Sequence, residues 1–380
     1  MSDSQSVRLG SFDVLKGFVI FAIVMLHLIF TSKNTIGEQT VTEPALILQI
    51  LYFGLMCFFI VSGYFYRPDR GFMHNIGSRV KQLVIAIAIC TVVFTGILFV
   101  WEYAFGTCGG FDDILTSFQY GFGLNKAFMD PSSTIAFPMS GSSVGYYFLW
   151  AMMFAFIIFY GLADYVMKDG WKVIVTIIAL LAITCVWTEF VHLRLPFFID
   201  LAPMGAALMF AGAWLAKLDL GGTIERFELR TKAFWLPLII CLVCGAVLCF
   251  FFHPNIKFDE EIYGAYGGYS AFPYFLEAVF MVVVYLYLAK FVSKIPLLGK
   301  ALAKLGKHTL GILLLHGFVA KMIIAPFWPM TDTSWFPSMP MVPKVAIGFA
   351  TLIICVLICH FGPKIVANIR NKGKKTETAQ

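Results

Sequence analysis

Three ionisable residues lie in the first long apolar segment of this sequence, where a charged or polar side chain is costly unless it has a specific role. They are Asp13, Lys16 and His27. Eleven positions separate Lys16 from His27, which leaves them roughly 20° apart around an α-helix and about 16 Å apart along it. Asp13 lies one turn before Lys16 on the same side. The spacing predicts one helix face with an ion pair near its start and a histidine far from it.

Two interpretations of this stripe are open. A lysine can hold an anionic donor at one membrane face, and an imidazole transfers protons near neutral pH, so the stripe could link a donor to a reaction centre inside the membrane. Alternatively, Lys16 snorkels to the interface and His27 makes a structural hydrogen bond to another helix. Glu277 and His316 are further candidates within apolar segments, and Glu277 could orient either histidine or pair with Lys321.

The composition indicates that a membrane surrounds the elements that position these residues. Of the 380 residues, 59% are hydrophobic and 13% charged, which excludes an ordinary soluble globule and a disordered chain. Ten apolar segments have the length of about 20 residues that a bilayer-spanning helix needs. They are 12–31, 45–66, 82–101, 145–166, 172–190, 197–216, 233–252, 273–292, 309–328 and 342–362. The sequence predicts an all-α polytopic membrane protein, a bundle of about ten transmembrane helices.

The basic residues predict the orientation of this bundle. With a cytoplasmic N-terminus and ten alternating helices, most of the 28 Lys and Arg residues fall on the cytoplasmic side, as the positive-inside rule requires. Both termini are then cytoplasmic, and the net charge of +6 reflects topology and not nucleic-acid binding. We expect one membrane domain over 1–363 and a basic cytoplasmic tail over 364–380. The two long outer loops, 102–144 and 253–272, could shape an acceptor entrance or simply cap the bundle.

The cysteines predict neither a disulfide framework nor a metal site. Eight of the nine lie in apolar segments, where cysteine behaves as a small hydrophobic residue. Cys241 and Cys244 have the spacing of a redox or metal pair, but no second pair accompanies them. We therefore expect no metal and no permanently bound cofactor.

Several short motifs, in order along the chain, resemble those of the acyltransferase-3 family of membrane acyltransferases. That family carries a basic residue, ten further residues and a histidine on its first helix, the arrangement of Lys16 and His27 here. Further similar segments are 57–64 (CFFIVSGY), 79–83 (RVKQL), 144–150 (VGYYFLW), 195–200 (LPFFID) and 304–316 (KLGKHTLGILLLH). The segment 195–200 resembles a feature of the sugar O-acetylase branch.

The resemblance implies an enzyme that takes an acyl group, usually acetyl, from cytosolic acyl-CoA and places it on a sugar hydroxyl across the membrane. Acetyl-CoA is then a substrate, the acceptor is a carbohydrate or glycolipid, a bacterial inner membrane is the expected location, and oligomerisation is left open. Lys and Arg bind the phosphates of CoA. The expected donor-binding residues are Lys16, Arg67, Arg70, Arg79 and Lys81, although anchoring at the membrane face explains Arg67 and Arg70 equally well.

The resemblance also implies where catalysis takes place. His27 would be the general base that deprotonates the acceptor hydroxyl, or a transient carrier of the acyl group. Glu277 and His316 are the other expected catalytic residues, although a histidine in the middle of a helix is as often a structural hydrogen-bonding residue.

The outer halves of two segments carry the expected acceptor pocket, which consists of Tyr147, Trp150 and Asp200. Trp150 could stack on a sugar, but a residue of the aromatic belt at the membrane interface is the commoner case. Structural roles are expected for Asp13, Ser62 and Gly63, with Ser62 and Gly63 permitting close helix packing.

Two other functions share these features. A transporter or flippase for a small amphipathic or sugar-lipid substrate would also carry His, Glu and Lys inside the membrane, but the sequence shows no internal repeat. A membrane N-acetyltransferase for amino sugars would use the same histidine chemistry. The chemical nature of the acceptor distinguishes the latter from an O-acyltransferase.

Overall fold

The computed structural model describes residues 10–30, 54–104, 115, 118, 146–191, 195–252, 271–324 and 341–377. Within these ranges the chain forms twelve α-helices and no strand. They are α1 (Gly10–Phe30), α2 (Gly54–Tyr64), α3 (Phe72–Ala104), α4 (Tyr146–Val166), α5 (Gly170–Val186), α6 (Ala202–Lys217), α7 (Leu220–Arg226), α8 (Lys232–Phe252), α9 (Ala271–Ser293), α10 (Pro296–Lys307), α11 (Thr309–Ile324) and α12 (Met341–Glu377). The prediction of an all-α fold is confirmed for this part of the chain. The side chain of His27 and most of both long outer loops lie outside the described residues.

Five of the described helices are long and apolar enough to cross a membrane. They comprise 72–97 in α3, 146–166 in α4, 196–217 around α6, 271–293 in α9 and 342–364 in α12. Shorter apolar helices occupy further predicted segments. The short helices α7 and α10 were not predicted, since neither is an uninterrupted apolar run. Helix α12 passes through Pro363 and continues to Glu377, so the segment expected as a tail is largely helical.

Contacts between helix ends define one end of the bundle. Phe12 of α1 packs against Tyr64 at the end of α2, with ring centroids 4.7 Å apart, and the Tyr64 hydroxyl accepts a hydrogen bond from the Gly221 N–H of α7 at 3.0 Å. Tyr66, just after α2, donates to Asp164 at the end of α4 at 2.6 Å. Lys290, near the end of α9, donates to the Ile224 carbonyl of α7. The starts of α1 and α3 and the ends of α2, α4 and α9 therefore meet at one end, together with α7, and we call this the basic end.

Two pairs of helices touch backbone to backbone at glycines. A Cβ atom on Gly17 of α1 would overlap the carbonyl of Leu302 in α10, and one on Gly306 of α10 would overlap the carbonyl of Asp13. In the second pair, Gly212 of α6 lies in the same way against the carbonyl of Ile60 in α2. Such close approach is possible only where no side chain intervenes. These crossings fix α1 on α10 and α2 on α6.

The outward faces of several helices are apolar. The peripheral helix α3 exposes Ile89, Val92 and Val100, and α12 exposes Ile353 and Leu357. Helix α6 is the opposite case, since nearly every residue from Ala202 to Ala213 is buried. An apolar exterior around a buried central helix is the expected arrangement for a protein whose solvent is the hydrocarbon of a bilayer.

One buried lysine joins the end of α9 to α7. The Lys290 side chain is almost completely buried, and its ammonium group donates to the Ile224 carbonyl at 3.2 Å and to the Glu225 carbonyl. The Glu225 carboxylate lies 3.4 Å away. A cation is favourable at the C-terminal carbonyls of a helix, which lack partners within the helix. Lys290 therefore anchors the short helix α7 to the bundle.

Replacing Lys290 by methionine should destabilise the protein, because α7 loses bonds to a charged donor, each worth about 1.5–3 kcal/mol. We expect the thermal unfolding midpoint of the detergent-solubilised protein to fall by several degrees. Lys294→Met is the matched control, because Lys294 follows α9 directly and is exposed. Equal midpoints for the two variants would contradict the anchoring role.

Candidate functional site

The predicted pair near the start of α1 is present. The Lys16 ammonium lies 2.9 Å from the Asp13 carboxylate, and their side chains are 29% and 11% exposed. The pair forms because residues three apart are neighbours on a helix, and Asp13 also suits the first turn, where the helix dipole favours a negative charge. The crossing of α1 by α10 at Gly306 covers Asp13. Lys16 is thus held at the basic end with part of its side chain accessible.

The other predicted donor-binding residues also lie at the basic end. Arg67 and Arg70 flank the turn Pro68–Arg70 between α2 and α3, and both are exposed. Lys81 is exposed two residues further into α3 than Arg79. Two of the five predicted residues, Arg67 and Arg70, therefore lie on the link from α2 to α3, and Arg79 and Lys81 lie near the start of α3. Lys16 is on α1, whose start packs against the end of α2.

Arg79 differs from the exposed residues because it is engaged by α4. Its guanidinium lies over the Phe156 ring at 4.6 Å from the centroid, and its Nε donates to the Tyr160 hydroxyl at 3.4 Å. A further bond joins it to Gln82 at 3.0 Å. Stacking on an aromatic face orients a guanidinium and leaves some of its five donors for an anion. Arg79 is therefore a pre-positioned cation at the basic end.

Tyr66 and Asp164 lie beside this arginine, since the Tyr66 ring also packs on Tyr160. Burial, together with the hydrogen bond to the Asp164 carboxylate, raises the pKa of the Tyr66 hydroxyl. The hydroxyl therefore remains protonated at neutral pH and continues to donate to Asp164. This bond ties the end of α2 to the end of α4, and neither residue type has a signal in the sequence that predicts it.

Helices α1 and α9 place Glu277 at the level of His27. They run in opposite directions, because the start of α1 and the end of α9 both lie at the basic end. Phe18 of α1 faces Tyr285 of α9, with ring centroids 5.8 Å apart. Counting nine residues away from the basic end leads from Phe18 to His27 on α1 and from Tyr285 to Leu276 on α9. Glu277, which is 3% exposed, therefore lies within about 2 Å of the level of the His27 backbone.

His316 lies nearer to the basic end than His27. Helix α11 begins at Thr309, whose hydroxyl donates to Gly306, the residue packed on Asp13. His316 is seven residues further, at most about 10 Å along the helix, whereas the His27 backbone is about 21 Å beyond Asp13. The structure does not bring the two histidines to one level.

The His316 ring is buried, and its hydrogen bonds determine which ring nitrogen carries the proton. Its Nδ1 lies 2.8 Å from the Leu313 carbonyl and 3.1 Å from the Ile312 carbonyl. A carbonyl oxygen only accepts hydrogen bonds, so Nδ1 must carry the proton in the neutral ring. Nε2 is then the nitrogen with the lone pair, and it is the one that can accept a proton.

The predicted acceptor residues come together at the far end of α4, about 20 Å along the helix from Tyr160. Asp200 accepts a hydrogen bond from the Leu195 N–H at 3.0 Å and so closes the turn before α6. Within this turn, Phe197 and Phe198 have φ values of 60° and 56°. Such values are rare for bulky residues, and this strain is typical of functional sites.

The strained turn packs on the first turns of α4. The ring centroid of Phe197 lies 5.0 Å from that of Trp150, and Phe198 lies 5.4 Å from Tyr147. Trp150 is consequently buried. A sugar ring that stacks on Trp150 would have to displace Phe197.

The arrangement offers cations that can bind an anion at the basic end. Further along the helices it offers groups that can transfer protons, which are His27, Glu277 and His316. Within the described ranges, no three His, Cys, Asp or Glu side chains are placed to hold a metal ion together. The residues suited to a phosphate-bearing ligand are the cations of the basic end. Ser62 and Gly63 lie in the crossing of α2 and α6, where a Cβ on Gly63 would overlap the Met209 carbonyl.

Comparison with known proteins gives one match. A family model described as "Acyltransferase domain", that of the acyltransferase-3 family, matches residues 9–360, nearly the whole chain. No curated protein matches the sequence, and no solved structure matches it.

Proposed function

Because this chain belongs to the acyltransferase-3 family of membrane acyltransferases, we propose that it moves an acetyl group from cytosolic acetyl-CoA to a hydroxyl of a carbohydrate or glycolipid on the other side of the membrane. In this proposal ten helices cross the membrane, the basic end and both termini face the cytoplasm, and the membrane is a bacterial inner membrane. The segment 195–200 favours the sugar O-acetylase branch.

The observation that carries the proposal is the arrangement along the contact of α1 with α9. Lys16, partly exposed and paired with Asp13, is at the basic end. The buried carboxyl of Glu277 is at the level of His27, roughly 16 Å further along α1. A donor held by its phosphates at the basic end can thus present its thioester inside the membrane at the level that His27 shares with the buried carboxyl of Glu277.

The reaction follows from ordinary acyl-transfer chemistry. His27 takes the proton of the acceptor hydroxyl, and the oxygen attacks the thioester carbonyl. The carbon–sulfur bond breaks, an ester forms, and the proton on His27 passes to the leaving thiolate, which departs as the thiol of CoA. Glu277 orients the imidazole and stabilises its protonated form. If His27 instead carries the acyl group, the imidazole attacks the thioester carbonyl, the carbon–sulfur bond breaks and CoA leaves as the thiol with the imidazole proton. The acceptor hydroxyl then attacks the acyl-imidazole, an ester forms, and the hydroxyl proton returns to His27.

The proposal is tested with membranes that contain the protein and acetyl-CoA labelled in the acetyl group. We expect label to enter a carbohydrate or glycolipid fraction, and alkaline hydroxylamine to release it, since esters are cleaved and amides are not. Label that resists hydroxylamine would identify an amino-sugar N-acetyltransferase. Absence of transfer with any glycan acceptor supplied would contradict the enzyme, and movement of an unmodified sugar-lipid would identify a flippase.

Replacing Lys16 by methionine should raise the KM for acetyl-CoA roughly ten-fold or more, because a bond from a charged donor to a phosphate is lost. Lys168→Met is the control for the loss of one positive charge at the basic end, since Lys168 is an exposed lysine of the α4–α5 link and not a residue of α1. The double variant Asp13→Asn/Lys16→Met removes both charges of the ion pair together. An unchanged KM in both Lys16 variants would remove Lys16 from the donor site.

A further inference from the structure

A tyrosine in the middle of α9 has a buried hydroxyl without a hydrogen-bond partner. Tyr285 is 1% exposed, and its hydroxyl has no partner among the described residues. Leaving a buried hydroxyl without a hydrogen bond is unfavourable, so such groups are rare in folded proteins. Phenylalanine would fill the same space without this cost, which indicates that the hydroxyl has a use.

Tyr285 lies where α1, α2 and α9 meet. Its ring packs against Phe18 of α1 at 5.8 Å between centroids. Cys57 of α2 and Glu277 of α9 lie close enough to its hydroxyl to interact electrostatically. Helical side chains point towards the N-terminus of their helix, which in α9 is away from the basic end. The hydroxyl therefore points from the level of Phe18 towards the level of Glu277.

This position is on the route between Lys16 and His27. The level of Phe18 is about 3 Å beyond Lys16 and about 13 Å short of His27. A donor with its phosphates at Lys16 and its thioester at His27 has to place the connecting arm beside Tyr285. In acyl-CoA that arm is pantetheine, a flexible chain whose polar groups inside the membrane are amides and a hydroxyl. A buried amide carbonyl requires a hydrogen-bond donor.

We propose that the Tyr285 hydroxyl donates a hydrogen bond to an amide carbonyl of the pantetheine arm and so positions the donor between Lys16 and His27. This inference rests on the proposed function, since it presupposes acyl-CoA. It assigns Tyr285 a positioning role and no part in the bond changes.

The test compares wild type with Tyr285→Phe, which removes only the oxygen. We expect the KM for acetyl-CoA, and the Kd for CoA without acceptor, to rise about three- to ten-fold, the effect of one neutral hydrogen bond. The kcat and the KM for the acceptor should stay within two-fold. Acetyl-pantetheine, as a substrate or as a competitor of acetyl-CoA, should show the same loss, because it keeps the amides and lacks the phosphates.

Tyr287→Phe is the matched control. Tyr287 is a buried tyrosine of the same helix, and it packs on Phe234 of α8 at 5.1 Å. An unchanged KM and Kd in Tyr285→Phe would overturn the inference, as would equal changes in the two variants or a loss of thermal stability without a loss of CoA affinity. A wild-type protein that neither binds CoA nor transfers acetyl would instead refute the proposed function itself.

Discussion

Replacing His27 by alanine should lower the rate of acetyl transfer by about 10²- to 10⁴-fold, the range that a positioned general base contributes. The expectation follows from two features of α1 and α9. His27 is on the stripe that begins with Asp13 and Lys16, and Glu277 lies buried at its level. The loss should fall on kcat, with the Kd for CoA close to the wild-type value, because the donor is held mainly at the basic end.

Two further variants sharpen this measurement. Glu277→Gln should reduce kcat less than His27→Ala, since in the proposed mechanism it removes the carboxylate that orients the imidazole but leaves the base. His74→Ala is the matched control, because His74 is exposed in the first turn of α3. If the His27→Ala variant transferred acetyl as fast as wild type, His27 would be neither the general base nor the acyl carrier. Trapping of a labelled acyl group on wild type in the absence of acceptor would favour the carrier.

Replacing Gly212 by alanine should prevent normal folding, at a cost of about 3 kcal/mol or more. Overpacking a core costs about 1–3 kcal/mol when side chains can adjust. Here the new Cβ meets the carbonyl and backbone carbon of Ile60, so a whole helix would have to shift. We expect little folded protein in the membrane fraction, with a low thermal midpoint for what is recovered.

Gly96→Ala provides the comparison for this variant. Gly96 lies within the apolar helix α3, and a Cβ there would meet no atom within 4 Å. Since alanine is the better helix former, this control should be as stable as wild type or slightly more so. If both variants gave equal yields and midpoints, the crossing of α2 and α6 would not be the close contact described above.

Much of the architecture follows from local rules. Hydropathy over about 20 residues predicts the apolar helices, and the i, i+3 spacing predicts the pair of Asp13 with Lys16. A search for apolar segments of about 20 residues does not find α7 and α10, because both helices are short and alternate apolar with polar residues. The left-handed φ values of Phe197 and Phe198 were also unpredictable, because nothing in those residue types favours that region.

The site was less predictable than the fold because it depends on which helices are neighbours. Glu277 stands out in the sequence as a carboxyl in an apolar segment, but only the contact of Phe18 with Tyr285 sets it at the level of His27. Tyr285 has no signal at all in the sequence, since a tyrosine in an apolar run is commonplace. Its importance arises from an unpaired hydroxyl, which is a property of the packed structure.

The glycine crossings have a mechanical consequence. Helices α1 and α10 meet through backbone atoms, as do α2 and α6, so neither pair can loosen gradually by rotating side chains. Each pair therefore behaves as one stiff unit. The contacts between the two units are made by side chains, which rearrange more easily, and we call this boundary the seam. Tyr285 of α9 lies on that seam, in contact with Phe18 on one side and near Cys57 on the other. A relative movement of the two units therefore changes the surroundings of Tyr285 before it changes the contacts inside either unit.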